Sequence, residues 1–223
     1  MKIYGVVFDM DGVILDSEKL YVRFWKQAGR ECGYPWEIRH SLAIRSLARP
    51  YAIERLKGFF GEDFDYDKVR NRRIELMNAY VDERGIDPKP YAEKTLATLK
   101  DTGLKIALAT ATKADIAERY LKNIGVLGYF DEVISAHMVE RGKPEPDIYL
   151  YACEKLGLKP ENCFAVEDSP NGIQSAYRAG CAPVMIPDMD EPDENTLRLV
   201  YRVLDNLGEL ITLTEEINNG TDH

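Results

Sequence analysis

The stretch Ile3-Tyr4-Gly5-Val6-Val7-Phe8-Asp9-Met10-Asp11-Gly12-Val13-Ile14 decides how the rest of the chain is read. Its first six residues are rich in β-formers and lack a two-residue alternation, so they specify a strand buried on both faces, as in a parallel sheet. Two carboxylates follow at once, and Gly12 marks a turn that brings both of them to one place. In doubly wound sheets ligands bind beyond the carboxyl ends of the strands. Acids standing directly after such a strand are therefore candidates for a site.

Working outward, Lys105–Ala109, Glu132–Ile134, Asn162–Val166 and Ala182–Ile186 repeat the short, non-alternating pattern. Helices are expected between them at Tyr91–Thr102, Lys113–Ile124, Asp147–Leu156 and Gly172–Ala179, which makes βαβ units and a parallel sheet. From about residue 17 to 88 no strand interrupts. That stretch reads as helices over Lys19–Glu31, Ile44–Phe60 and Tyr66–Arg84, with turns at Gly33-Tyr34-Pro35 and Gly61-Glu62-Asp63. The expected fold is α/β: a Rossmann-like parallel-sheet core of residues 1–16 and 89–223, with an all-helical domain inserted over 17–88. A helix over Leu197–Asn206 and a polar tail are expected to close the chain.

Composition narrows the class. The chain has 223 residues, 45% hydrophobic and 30% charged, which is globular rather than disordered. No apolar run approaches the roughly 18 to 20 residues of a membrane span. With 29 Lys+Arg against 38 Asp+Glu, the net charge of -9 argues against a nucleic-acid backbone as partner. The residues before Asp9 leave no room for a signal peptide's apolar region, and a cytoplasmic protein is expected; it is also expected to be a monomer. Cys32, Cys153, Cys163 and Cys181 show no metal-ligand spacing and read as buried thiols. His40, His137 and His223 are far apart in sequence, which disfavours a His-based zinc site or a Ser-His-Asp triad.

Chemistry collects after the strands. Asp9 and Asp11 follow the first, Thr110 and Thr112 the second, Gly142-Lys143-Pro144 precedes a later helix, and Glu167-Asp168-Ser169 follows the fourth. Each alone has a bland reading as a solvated acid, a surface lysine or a helix cap. Together on one sheet edge they form a carboxylate-rich site that needs cationic charge, and a hard divalent ion such as Mg²⁺ suits it. Lys143 and Thr110 are what the oxygens of a phosphoryl group need.

The same residues carry a resemblance. Asp9-Met10-Asp11-Gly12-Val13-Ile14 with Asp16-Ser17-Glu18 resembles the first motif of the haloacid dehalogenase-like superfamily, in the branch holding β-phosphoglucomutase and small phosphate-ester phosphatases. Thr110 matches the second motif, Gly142-Lys143-Pro144-Glu145-Pro146-Asp147 the third, and Glu167-Asp168-Ser169-Pro170-Asn171-Gly172 the fourth. The helical insertion sits where that branch carries its cap domain. The resemblance implies that Asp9 is the nucleophile, Asp11 the general acid and base, and Thr110 and Lys143 the grip on the phosphoryl oxygens. Mg²⁺ would be held by Asp9, Asp168, the backbone carbonyl of Asp11, and Glu167 through a water. It implies Mg²⁺-dependent hydrolysis of a small phosphorylated metabolite through an aspartyl-phosphate, with a hexose phosphate mutase as the alternative. The mutases of the branch carry a histidine early in the first cap helix, where this chain has Tyr21. Arg45, Arg49, Arg72 and Arg73 in the cap, with Tyr21 and Thr112, are the candidates for contact with the rest of the substrate. Tyr21, Phe24 and Trp25 also read as the apolar stripe of a helix.

Overall fold

The computed structural model describes residues 1–45, 47–189 and 191–220; His223 lies outside the described residues. Six parallel strands form one sheet: β1 (Gly5–Phe8), β2 (Lys105–Thr110), β3 (Glu132–Ser135), β4 (Cys163–Glu167), β5 (Ala182–Met185) and β6 (Arg202–Val203), in the order β3-β2-β1-β4-β5-β6. The pleat of β1 sends Val6 and Phe8 into one hydrophobic core and Val7 into the other, which is why the strand has no polar face. The order reverses at β1, and the crevice that such a reversal opens lies at the ends of β1 and β4. Phe8 pairs with Val166, and the Asp9 amide donates to the Val166 carbonyl at 2.9 Å. Asp9 is thereby held close to Glu167 and Asp168.

The inserted cap comprises α1 (Glu18–Glu31), α2 (Ile38–Leu42), α3 (Arg49–Phe60) and α4 (Tyr66–Arg84). Its core is aromatic: Trp36 is fully buried, stacked on Trp25 with centroids 5.7 Å apart and on Phe60 at 5.0 Å. The chain leaves the sheet and returns along one seam, the Asp16 amide donating to Asp87 O at 2.9 Å and the Lys89 amide to Ile14 O at 2.8 Å. In the core, α5 (Ala92–Asp101) and α6 (Ala114–Asn123) cover the Phe8 face, while α7 (Asp147–Leu156) and α8 (Pro170–Ala179) cover the Val7 face. Cys153, Cys163 and Cys181 are buried, Cys32 is half-buried, and all four are free thiols. Among the described residues no helix is long and apolar enough to cross a membrane.

Two expected helices are corrected. In place of one helix over Ile44–Phe60 the chain forms α2 earlier and begins α3 only at Arg49. Pro50 lies in the first turn of α3, where its missing amide costs nothing; further inside a helix it would break one. The helix expected over Leu197–Asn206 is instead the end of α9 (Glu194–Leu197), followed by the edge strand β6. Sheet pairing wins there: Tyr201 N donates to Pro183 O at 2.7 Å and Leu204 N to Met185 O at 2.8 Å. The last helix, α10 (Glu209–Asn219), lies in the expected polar tail and buries Leu210, Leu213 and Ile217 at helical spacing.

The aromatic stack makes Trp36 the keystone of the cap. Trp36→Ala is expected to cost about 3–5 kcal/mol of cap stability, read as an earlier urea transition by far-ultraviolet circular dichroism. A loss below about 1 kcal/mol would show that the stack closes around the gap.

Candidate functional site

The site is assembled by the ends of β1, β2 and β4 and by the loop that leads into α7. Gly12 has φ of 82°, and a Cβ there would lie 2.4 Å from Asp168 Oδ2. Only glycine permits both that conformation and that approach. Gly172, in the first turns of α8, is equally constrained: a Cβ would meet the Glu167 carboxylate at 2.0 Å. Ser169 accepts from the Gly172 amide at 3.2 Å and caps α8, which fixes the loop carrying Asp168.

Lys143 is almost wholly buried. Its Nζ lies 2.6 Å from Asp9 Oδ1 and 2.6 Å from Glu167 Oε1, and it also donates to Ala109 O at 3.1 Å. Burial alone would lower the lysine pKa, but the carboxylates of Asp9 and Glu167 outweigh it and raise the value above the ordinary one. The Tyr149 hydroxyl donates to the same Glu167 oxygen. Thr110 is fully buried at the end of β2, its Oγ1 accepting from the Thr112 amide at 3.0 Å.

Asp11 points elsewhere. It accepts from Ser17 Oγ at 2.6 Å and from Thr112 Oγ1 at 3.2 Å. Burial, then the charge of Asp9, raises its carboxyl pKa to about 7. Asp9, Glu167 and Asp168 offer carboxylate oxygens that all lie within 4.8 Å of one another; the Asp11 side chain is outside that group. Asp168 is fully buried, and its Oδ1 has no hydrogen-bond partner among the described residues. Burial, followed by the charges of Glu18, Asp9 and Glu167, raises its pKa well above the carboxylate range. A buried acid with an unpartnered oxygen, inside a carboxylate cluster, fits a hard divalent cation.

Over this floor the cap closes a cavity of about 520 Å³, lined from the core by Asp9, Asp11 and Lys143 and from the cap by Tyr21, Trp25 and Arg73. Tyr21 Oη lies 3.4 Å from Thr112 Oγ1. The Arg73 guanidinium sits 5.0 Å from the Tyr21 ring centroid and 5.3 Å from that of Trp25. Arg49 lines the cavity while pairing with Asp67 at 2.6 Å. Arg72 pairs with Glu31 at 2.6 Å and Glu75 at 2.9 Å and does not line this cavity. Successive residues on a helix are about 100° apart around its axis, so α4 turns Arg73 inward and Arg72 away. Arg45 reaches deeper than a contact for the far end of a substrate, binding Glu18 Oε2 at 2.7 Å and Asp168 Oδ2 at 2.6 Å.

Sequence reading gave no role to Ser17, Glu18 or Tyr149. Ser17 and Glu18 follow Asp16 directly in the first motif, a placement that marks them in retrospect; Tyr149 is one more apolar position of α7 and carries no local signal. Lys113, His137 and Asn78 also line the cavity.

A family model for haloacid dehalogenase-like hydrolases matches residues 3–180. Hexitol phosphatase A of Escherichia coli is 32% identical over 224 residues, covering 98% of this chain and 97% of its own. Beta-phosphoglucomutase of Bacillus subtilis is 26% identical over 184 residues, covering 79% of this chain and 80% of its own. Among solved structures, a hydrolase from Pseudomonas syringae superposes with a TM-score of 0.84, covering 96% of this chain and 99% of that one; at 22% identity this is a likeness of fold.

The close approach at Gly12 can be tested directly. Gly12→Ala is expected to displace the Asp168 carboxylate and weaken divalent-cation binding at least tenfold by calorimetry, a loss of about 1.4 kcal/mol. Unchanged affinity would mean that the loop yields without moving Asp168.

Proposed function

The chain belongs to the haloacid dehalogenase-like hydrolase family and is a phosphoric monoester hydrolase, and on that footing we propose that it hydrolyses a small phosphorylated metabolite through an aspartyl-phosphate on Asp9. The observation that carries this reading is the Lys143 ammonium shared by Asp9 and Glu167 beneath the cavity, with Asp11 held beside them by Ser17 and Thr112. Phosphorylated sugars and sugar alcohols are the favoured class, supported by the name of the 32% identical hexitol phosphatase and by a cavity that offers hydrogen-bonding groups as well as aromatic rings.

Lys143 holds one oxygen of Asp9, leaving the other to attack phosphorus. A new bond forms from Asp9 to phosphorus as the bond to the substrate's alcohol oxygen breaks. Asp11 carries a proton through much of the neutral range and gives it to the departing alcohol oxygen. It then takes a proton from the water that attacks the aspartyl-phosphate, releasing inorganic phosphate and restoring Asp9. Lys143 and Thr110 are the residues assigned to the non-bridging oxygens. Asp9, Asp168, the Asp11 backbone carbonyl and Glu167 through a water would hold Mg²⁺, which supplies positive charge to offset that of the phosphoryl oxygens. Closure of the cap excludes bulk water from these steps.

Hydrolysis is favoured over intramolecular phosphoryl transfer because of Tyr21. A mutase has to keep the aspartyl-phosphate intact while a bisphosphate turns over, and the branch assigns part of that control to a histidine. Burial, then the charge of Asp11, raises the Tyr21 pKa above the ordinary tyrosine value, so it stays neutral and cannot relay protons near pH 7.

Phosphate release from a panel of sugar and hexitol phosphates tests the main reading. Chelation is expected to abolish turnover reversibly and Asp9→Asn to leave no detectable turnover. Asp11→Asn should slow the chemistry by roughly 10²–10⁴-fold while phosphate still binds. Undiminished turnover without metal, or more than about a tenth of kcat in Asp9→Asn, would refute the assignment, since that loss is smaller than acid–base catalysis alone supplies.

The hydrolytic reading has its own test. With β-glucose 1-phosphate, Mg²⁺ and a trace of the 1,6-bisphosphate, free phosphate should appear at least as fast as glucose 6-phosphate. Isomerisation about tenfold faster than phosphate release, a barrier difference of roughly 1.4 kcal/mol in its favour, would reverse the assignment.

A further inference from the structure

We infer that Arg45 is a positioning residue of the cap that shares Asp168 with the divalent cation and so ties cap closure to loading of the site. The inference rests on the metal reading proposed above. Arg45 belongs to the connection between α2 and α3, far in sequence from the sheet, yet its side chain is only 4% exposed and lies among buried carboxylates. Its planar fork spans two of them: Nε donates to Glu18 Oε2 at 2.7 Å and Nη2 to Asp168 Oδ2 at 2.6 Å. Glu18 is the first residue of α1, just past the seam where the chain leaves the sheet. Asp168 belongs to the loop after β4. One guanidinium therefore joins the cap, the entrance to its first helix, and the core.

Two further contacts fasten the same connection. The Ala48 amide donates to Lys143 O at 3.1 Å, and Asn171 Nδ2 donates to Arg45 O at 3.3 Å. The partners lie on the loop that carries Lys143 and in the first turn of α8, just after Asp168, so the connection docks where the chemistry is placed rather than at the cavity's outer edge.

The oxygens of Asp168 divide between two tasks. Oδ2 receives Arg45, while Oδ1 is buried without a hydrogen-bond partner among the described residues. Charge supports the same division: Arg45 is held against Glu18 and Asp168, and Lys143 against Asp9 and Glu167. With Arg45 withdrawn, Glu18 and Asp168 face each other unbalanced, and the site attracts a cation more strongly while the cap loses its tether. Arg45 thus trades cation affinity for closure. An arginine suits the task because a lysine ammonium carries the charge without the fork.

The test is calorimetric Mg²⁺ binding to the full-length protein without substrate, paired with deuterium uptake at the Ala48 amide in metal-free protein. Arg45→Met is expected to tighten Mg²⁺ binding roughly tenfold, as removal of a neighbouring positive charge requires, while uptake at Ala48 rises and kcat falls. A merely structural loss would weaken binding instead. Arg45→Lys should return the Mg²⁺ affinity to within about threefold of wild type, because it restores the charge. Because Arg45→Met leaves buried carboxylates unbalanced and can fail to fold, the double variant Glu18→Gln, Arg45→Met removes one charge of each sign. It should fold, expose Ala48 and still bind Mg²⁺ more tightly than wild type, because the charge lost from Arg45 sat on Asp168 within the carboxylate cluster while Glu18 lies outside it. Wild-type-like uptake, or Mg²⁺ binding no tighter in the double variant, overturns the inference while leaving the phosphatase reading intact. A wild-type protein that binds no Mg²⁺ overturns the metal reading and this inference with it.

Discussion

A single buried ammonium, Lys143, set between Asp9 and Glu167 at 2.6 Å from each, is the constraint around which the site is organised. Without it two buried carboxylates would face each other with no ammonium between them, which is costly away from water. Removing one partner of such a buried pair ordinarily costs about 3–5 kcal/mol. Its neighbours follow from this need. The Tyr149 hydroxyl binds the Glu167 oxygen that Lys143 also holds, the Ala109 carbonyl accepts from the ammonium, and glycine is required at 172, where a side chain would push Glu167 out of reach.

Two acids only two residues apart serve different ends because their surroundings differ. Asp9 is tied to the Lys143 ammonium. Asp11 accepts from the hydroxyls of Ser17 and Thr112, and burial, then the charge of Asp9, raises its pKa. Both side chains line the same cavity, but they find different partners there. Environment, rather than residue type, divides the labour.

The parallel sheet and the floor of the site were legible in the sequence because both depend on local signals. Short apolar strands announce burial on two faces, and acids, a threonine and a lysine directly after them announce a shared edge. The cap was less legible. Arg72 and Arg73 are adjacent letters, and only the rotation of α4 decides which of them faces the cavity. Arg45 lies in a connection without regular structure, so its reach to Asp168 depends on a tertiary path that no periodicity encodes. Tyr149 was hidden because a core-facing helical tyrosine and a carboxylate partner look alike in sequence. At the C-terminus, pairing of Tyr201 and Leu204 with β5 overrode a helical composition, and the apolar spacing of Leu210, Leu213 and Ile217 went unread in a segment that looked polar.

The seam at Asp16 and Lys89 has a consequence for how such a protein diversifies. Because the chain departs and comes back along adjacent hydrogen-bonded segments, the sheet experiences some seventy intervening residues as little more than a closed loop, and loops whose ends already touch accept wholesale exchange at small entropic cost. Variation in the inserted helices can therefore reshape what is admitted, provided that the connection that reaches down to Asp168 and Lys143 is kept.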